Sequence, residues 1–194
     1  MRTKGSSGPK TEAAIFAAGL KLFHAHGFEG TSLRQIAAEV GIREGSLYNH
    51  IVSKQDLLFR LVGNHMDHLL ASLEAAIQDQ WGGQARLKAF IAFHLTYHMQ
   101  RPAEVFVINS ELRSLDVEFR AVIVGKRDAY EKILVATLRQ CAAEGFAVAD
   151  PVVAAKGFIA MLTGVCTWFR PDGRLTIEEL VAIYSELILR GITR

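Results

Sequence analysis

Between Thr31 and Lys54 the chain gathers side chains suited to holding duplex nucleic acid. Arg43 can donate to the two acceptors of guanine, Asn49 can read adenine or hold a phosphate, and Glu44 can accept from cytosine or stand in solvent. Thr31, Ser32, Tyr48, His50 and Lys54 carry the donors that suit phosphate oxygens, Lys54 beside a helix start whose amides also favour an anion. Gly45 and Ser46 are small, so a helix of about two turns carrying them could enter a major groove roughly 12 Å wide.

Such residues work only if rigid elements present them. Ser32 with Gln35 three positions on is the reciprocal cap that starts a helix, and Leu33, Ile36, Ala37 and Val40 fall on one helical stripe. Gly41 ends that helix where the chain needs a left-handed residue. Beyond it Ile42, Leu47 and Ile51 face inward, leaving Arg43, Glu44, Gly45, Ser46, Tyr48, Asn49 and His50 on or near the outside. An ordinary helical hairpin could show the same polar face, but Ala37, Gly41 and the flanking apolar residues fall together in helix-turn-helix register.

These residues resemble the N-terminal domain of TetR-type transcriptional regulators. The matches are a first helix from Ile15 to Gly27 through Leu22-Phe23, then Thr31-Ser32-Leu33, Ile36-Ala37, Val40-Gly41-Ile42, Gly45-Ser46-Leu47-Tyr48-Asn49-His50 and Ser53-Lys54. The resemblance covers the whole chain in outline. It implies a dimeric repressor on a palindromic operator, with Tyr48, His50 and Lys54 at backbone-contacting positions. Arg43, Glu44 and Asn49 stand where such proteins differ and would set the operator sequence. It also implies a C-terminal part with a ligand cavity between helices, whose occupancy alters the spacing of the two readers.

Composition fits a nucleic-acid partner. Of 194 residues half are hydrophobic, enough for a sizeable core, and the formal charge is +2. Residues 1–54 hold seven Lys/Arg against four Asp/Glu, or +3; the remainder holds fifteen against sixteen, or −1. The N-terminus has charges but no following apolar run, so no secretory signal is expected there, only a short basic arm. Two cysteines, Cys141 and Cys166, lack metal-ligand spacing and suit free buried thiols in a reducing, cytoplasmic setting.

The pattern beyond Ser53 is helix after helix, giving an all-α protein of about nine helices. Residues 1–54 are expected to form the DNA-binding domain and residues 55–194 a ligand-binding and dimerisation domain. Ser53 with Asp56 starts a segment to about Gln80. Further helices run from about Gln84 to Met99, from Pro102, from about Asp116 to Glu144, from Asp150-Pro151 to about Phe169, and from Thr176 with Glu179 onward. Residues 152–169 carry only Lys156 and residues 180–189 only Glu186, so both helices need cover on more than one side. A membrane span there is marginal in length and interrupted by Lys156, Thr163 and Thr167, so no membrane is expected. Gly157, Ala160 and Gly164, with Trp168, Ile183 and Leu187, instead suit a symmetric four-helix homodimer interface, which the resemblance also implies.

An effector would meet Met66, Leu69, Phe90, Phe93, His94, Phe106, Asn109, Tyr130, Met161 and Trp168, residues that equally fill any helical core. Glu111-Leu112-Arg113-Ser114-Leu115 and Trp168 to Leu175 resemble segments of the branch that controls lipid and aromatic-acid catabolism and is released by acyl-coenzyme A thioesters. Arg113, Arg120, Lys126, Arg127, Arg170 and Arg174 could then meet its phosphates, and Trp168 its adenine. The alternative is a regulator of an efflux or other catabolic operon sensing a different hydrophobic ligand. His65 with His68 and His94 with His98 have metal-ligand spacing, but no carboxylate or cysteine joins them, so neither metal nor cofactor is expected. No phosphate-cradling loop, nucleophile elbow or zinc-protease motif is present, so an enzyme, like a plain helical carrier, is the lesser reading.

Overall fold

The computed structural model describes residues 8–192, and the basic arm expected at the N-terminus lies largely outside them. Among the described residues the secondary structure is helical, without strands: α1 Gly8–His26, α2 Leu33–Val40, α3 Glu44–Leu47, α4 Lys54–Ile77, α5 Gly83–Met99, α6 Pro102–Ser110, α7 Val117–Ala143, α8 Pro151–Gly164 and α9 Ile177–Ile192. Two 3-10 turns, Leu112–Ser114 and Val165–Thr167, join them. The all-α reading holds, and most starts fall where the caps placed them. Asp150 accepts the amides of Val152 and Val153 at 2.8 and 3.1 Å, and Thr176 exchanges its capping bonds with Glu179. The first helix begins at Gly8 rather than Ile15, because Pro9 is accommodated in the opening turn, where a missing amide costs nothing.

The chain divides into two compact units, and the division is not a linear cut at residue 54. One comprises the residues up to Met66 together with Ala103–Val124; the other comprises Asp67–Pro102 and the residues from Gly125 on. The physical reason lies in the first unit's core. Ile15, Phe23, Ile36, Leu47 and Ile51 share it with Leu57, Leu58 and Val62 of α4, and with Val107, Ile108, Leu115 and Ile123 of α6 and α7. Residues distant in sequence therefore bury the same apolar surface.

In the second unit α5 packs on α8 and α9. Its interior is filled by Leu87, Phe90, Ile91 and Leu95 of α5 with Leu134 and Leu138 of α7, Leu162 of α8 and Leu180 and Ile188 of α9, all buried. The Glu144 carboxylate accepts the Gly83 amide with both oxygens, at 2.8 and 2.9 Å, fixing the start of α5 against the end of α7. Cys141 is a buried free thiol; Cys166 is free but only half-buried, contrary to the expectation that both are enclosed.

Candidate nucleic-acid interface and effector sites

The reader is built on two anchors. Ser32 Oγ accepts the Gln35 amide at 3.2 Å while Gln35 Oε1 accepts the Ser32 amide at 2.7 Å, the reciprocal cap expected. Gly41 has φ +74° and donates to the Ala37 and Ala38 carbonyls, so α2 ends in a left-handed turn that costs a side-chain residue roughly 1–2 kcal/mol. The chain re-enters as α3, which is only Glu44–Leu47 and continues as a turn to His50. Leu47 and Ile51 are fully buried beneath it, at about 2 kcal/mol each for the apolar surface removed from water.

Above those anchors Arg43, Glu44, Gly45, Tyr48 and Asn49 are exposed, with Ser46 and His50 half-buried. Nothing lies within 4 Å of where a Gly45 side chain would begin. Tyr48 is 57 % exposed and Val52, four residues on, is 82 % exposed. The outer face is open to a partner the size of a groove wall.

Three expected phosphate contacts look different in place. Thr31 is 2 % exposed, and its hydroxyl lies 2.8 Å from the Gly27 carbonyl and 3.1 Å from that of Leu22. Its expected phosphate role is therefore corrected: the side chain closes the turn after α1. Ser32 turns its hydroxyl to Gln35 Oε1 at 2.8 Å. Lys54 donates to the Phe28 and Thr31 carbonyls at 2.8 and 2.9 Å and sits 4.2 Å from the centre of the Phe28 ring. One of its three N–H donors is left for an outside acceptor.

Residue spacing gave no hint of the clamp behind the reader. Arg60 donates to the His50 carbonyl at 2.8 Å, pairs with Glu12 of α1, and lies 4.7 Å from the Phe16 ring centre. Asp56 accepts the Val52 amide at 3.1 Å while its own amide is capped by Ser53 Oγ at 3.0 Å. Gln55 donates to the Ser114 carbonyl at 2.7 Å and accepts the Asp116 amide at 3.2 Å. The opening turns of α4 thus hold the reader on one side and the α6–α7 connection on the other.

The effector candidates fall in both units. In the second, Phe90, His94 and Tyr130 meet: His94 lies 2.9 Å from the Tyr130 hydroxyl through Nδ1 and 3.1 Å from Thr163 Oγ1 through Nε2. Thr163 is not among the expected contacts; its place in the sequence marks it only as a polar interruption of an apolar helix. His98 stacks on His94 at 3.9 Å and donates from Nδ1 to the His94 carbonyl at 2.8 Å. Burial, then the neighbouring His98, holds His94 well below the usual histidine range; burial and Arg101 bring His98 down to about 4. Burial, with Tyr97 adding, pushes the Tyr130 hydroxyl upward. Both ring nitrogens of His94 are thus engaged by neighbouring hydroxyls, and burial disfavours the charged form of either imidazole. Among the described residues no three His, Cys, Asp or Glu gather as a metal site.

Leu69 is buried, and Phe93, Arg127 and Met161 are half-buried in the same unit. Burial lowers the Arg127 guanidinium from its ordinary value. Arg170 is exposed and donates to the Phe169 carbonyl at 3.1 Å, and Trp168 is half exposed. In the first unit Met66 is buried, while Phe106 lies at the surface. It is 50 % exposed and meets His24 edge-on at 4.9 Å. Asn109 and Arg113 line an open groove of about 630 Å³ with Ser110, Leu112, Arg120 and Val124.

On α8 and α9 the apolar residues expected at an interface lie outward. Gly157 and Ala160 are exposed, Gly164 is half-buried, and Ile183 and Leu187 are 48 % and 55 % exposed. Neither Gly157 nor Gly164 has an atom within 4 Å of where a side chain would start. Among the described residues no helix is long and apolar enough to cross a membrane.

A capped helix, a left-handed glycine and a second helix showing its polar side outward define a helix-turn-helix DNA-binding protein. The chain belongs to the TetR family of bacterial transcriptional regulators: residues 15–61 match "Bacterial regulatory proteins, tetR family" and residues 81–192 match "Tetracyclin repressor-like, C-terminal domain". It is 28 % identical to the HTH-type transcriptional repressor KstR2 of Mycobacterium tuberculosis over 176 residues, 89 % of this chain and 88 % of that one. It resembles the TetR family transcriptional regulator PfmR of Thermus thermophilus, with a TM-score of 0.83, 31 % identity, and 93 % of this chain and 99 % of that one covered. It also resembles AibR, solved with isovaleryl coenzyme A and operator DNA, with a TM-score of 0.84, 30 % identity, and 92 % and 98 % covered.

Proposed function

We propose that this protein is a homodimeric repressor that holds a palindromic operator through α3 and releases it when an acyl-coenzyme A thioester binds. The observation that carries the DNA half is the open outer face of α3 over the buried Leu47 and Ile51, framed by Arg60 and Lys54. Arg43, Glu44 and Asn49 are the base readers; Ser46, Tyr48, His50 and the remaining donor of Lys54 serve the phosphates. The outward residues Gly157, Ala160, Ile183 and Leu187 support a twofold interface, which lets two short readers address both halves of one site.

The thioester reading is supported by the isovaleryl coenzyme A bound to AibR and, among this chain's own residues, by the exposed arginines at 113 and 120. The test is fluorescence anisotropy of the DNA upstream of the protein's own coding region, with and without decanoyl-coenzyme A. Nanomolar binding that Arg43→Ala with Tyr48→Ala abolishes and the thioester reverses is expected. Binding indifferent to the double substitution removes the reader, and DNA retained at high micromolar thioester removes the effector. A monomer in sedimentation at micromolar concentration removes the twofold model.

A further inference from the structure

We propose that Val52, in the turn between α3 and α4, reads a thymine of the operator through the C5-methyl group of that base. This rests on the operator reading above and adds to it an apolar base contact beside the polar ones assigned there.

Packing does not account for a valine at this place. Its side chain is 82 % exposed, and among the large apolar side chains of the described residues only Trp81, at 92 %, is barer. The neighbouring Ile51 is buried, so the chain turns one apolar residue inward and the next outward. His50, Ser53, Lys54, Gln55 and Asp56 surround Val52 in sequence, and one alkyl group among them is too small an apolar area to hold a protein partner. Duplex DNA offers a target of matching size. In the major groove thymine presents a methyl group, and a small alkyl side chain against it separates thymine from the other bases.

The turn holds Val52 from both sides. Before it, the His50 carbonyl accepts from Arg60 at 2.8 Å and the Ile51 amide donates to the Leu47 carbonyl at 3.0 Å. The Val52 amide itself donates to Asp56 Oδ2 at 3.1 Å. After it, the Ser53 carbonyl accepts the Leu57 amide at 3.1 Å and the Ser53 hydroxyl caps the Asp56 amide at 3.0 Å. With the backbone held in this way, and a β-branched side chain stiff about χ1, Val52 gives up little freedom on contact. Four residues back, Tyr48 is exposed for one phosphate; two residues on, Lys54 keeps one donor for another. Val52 stands between them in the chain, so engaging both brings its methyl groups against the duplex.

The experiment uses the full-length protein, the DNA upstream of its coding region and fluorescence anisotropy. Each thymine within the protected footprint is replaced in turn by deoxyuridine, which removes the methyl group and keeps the base pair. The wild type is expected to lose about four-fold in affinity at one thymine of each half-site, the share of one buried methyl group. Val52→Ala should bind the unmodified DNA at least about four-fold more weakly and change by less than about 1.5-fold when that thymine is replaced. Its melting curve should match the wild type, since the side chain packs on nothing. Val52→Ile keeps the branched methyl and should keep the sensitivity to deoxyuridine. A wild-type complex without any sensitive thymine, or a Val52→Ala complex as sensitive as the wild type, overturns the assignment while leaving the operator reading intact. A loss by Val52→Ala that is equal on thymine and deoxyuridine DNA puts the valine against a sugar and overturns base reading as well. No complex with the wild type overturns both the assignment and the operator reading.

Discussion

Acidification should loosen this protein through His94 and His98, and the size of the effect follows from their burial. The two rings sit one turn apart on α5, stacked at 3.9 Å, with Tyr130 and Thr163 facing His94 and the Arg101 guanidinium near His98. In the unfolded chain each imidazole titrates near 6.5; in the folded chain His98 is brought down to about 4, and His94 is shifted the same way. The unfolded state therefore binds more protons in this window. The neutral-histidine contribution is fully present above about pH 6.5 and is lost as pH falls towards about 4. For His98 alone the difference between about pH 7 and about pH 5 is about 2 kcal/mol, and His94 adds in the same sense. At this chain length about 2 kcal/mol lowers the melting temperature by roughly 4–8 °C. The assay is thermal unfolding followed by circular dichroism at fixed protein concentration across that range, for wild type and His98→Asn. Asparagine keeps a donor within reach of the His94 carbonyl but does not titrate, so its pH-dependent loss should be visibly smaller. Equal losses in the two proteins would refute the reasoning.

Three further outcomes can be measured. Arg60→Leu removes a charge-assisted bond to the His50 carbonyl, an ion pair and a ring contact from a guanidinium one-third exposed. It should cost about 2 kcal/mol by denaturant unfolding and weaken DNA binding in anisotropy, and a full-strength complex would deny the clamp its role. Gly45→Val adds a side chain where nothing lies within 4 Å, so unfolding should change by less than about 1 kcal/mol while DNA affinity falls at least about ten-fold. Gly83→Ala places its new carbon 2.6 Å from the Cys141 backbone nitrogen, and chemical unfolding should register about 2–3 kcal/mol of destabilisation, unlike the same change at open Gly157.

What could be read ahead of the fold was local. Ser32 with Gln35, Gly41, and Thr176 with Glu179 act through bonds spanning five residues or fewer, so residue type and spacing alone place them. The burial of Thr31 was not legible, because a threonine at a helix start most often faces water and only the Leu22 and Gly27 carbonyls pull this one inward. Lys54 misled for the same reason: its ammonium reaches carbonyls 23 and 26 residues away. The partnership of His94 with Tyr130 and Thr163 spans 36 and 69 residues, and the shared core of α4, α6 and α7 is as distant. Periodicity names the buried face of each helix but not which faces meet, so the division of the chain into units was beyond it.

Lys54 has one more consequence. A lysine on a protein surface normally surrenders its rotamer freedom when it grips an anion, a cost charged against affinity. Here the four-carbon stem was immobilised when the chain folded, by two carbonyls and the face of Phe28. Any anion arriving at the start of α4 meets a positive charge already parked, and complex formation there draws little from side-chain disorder.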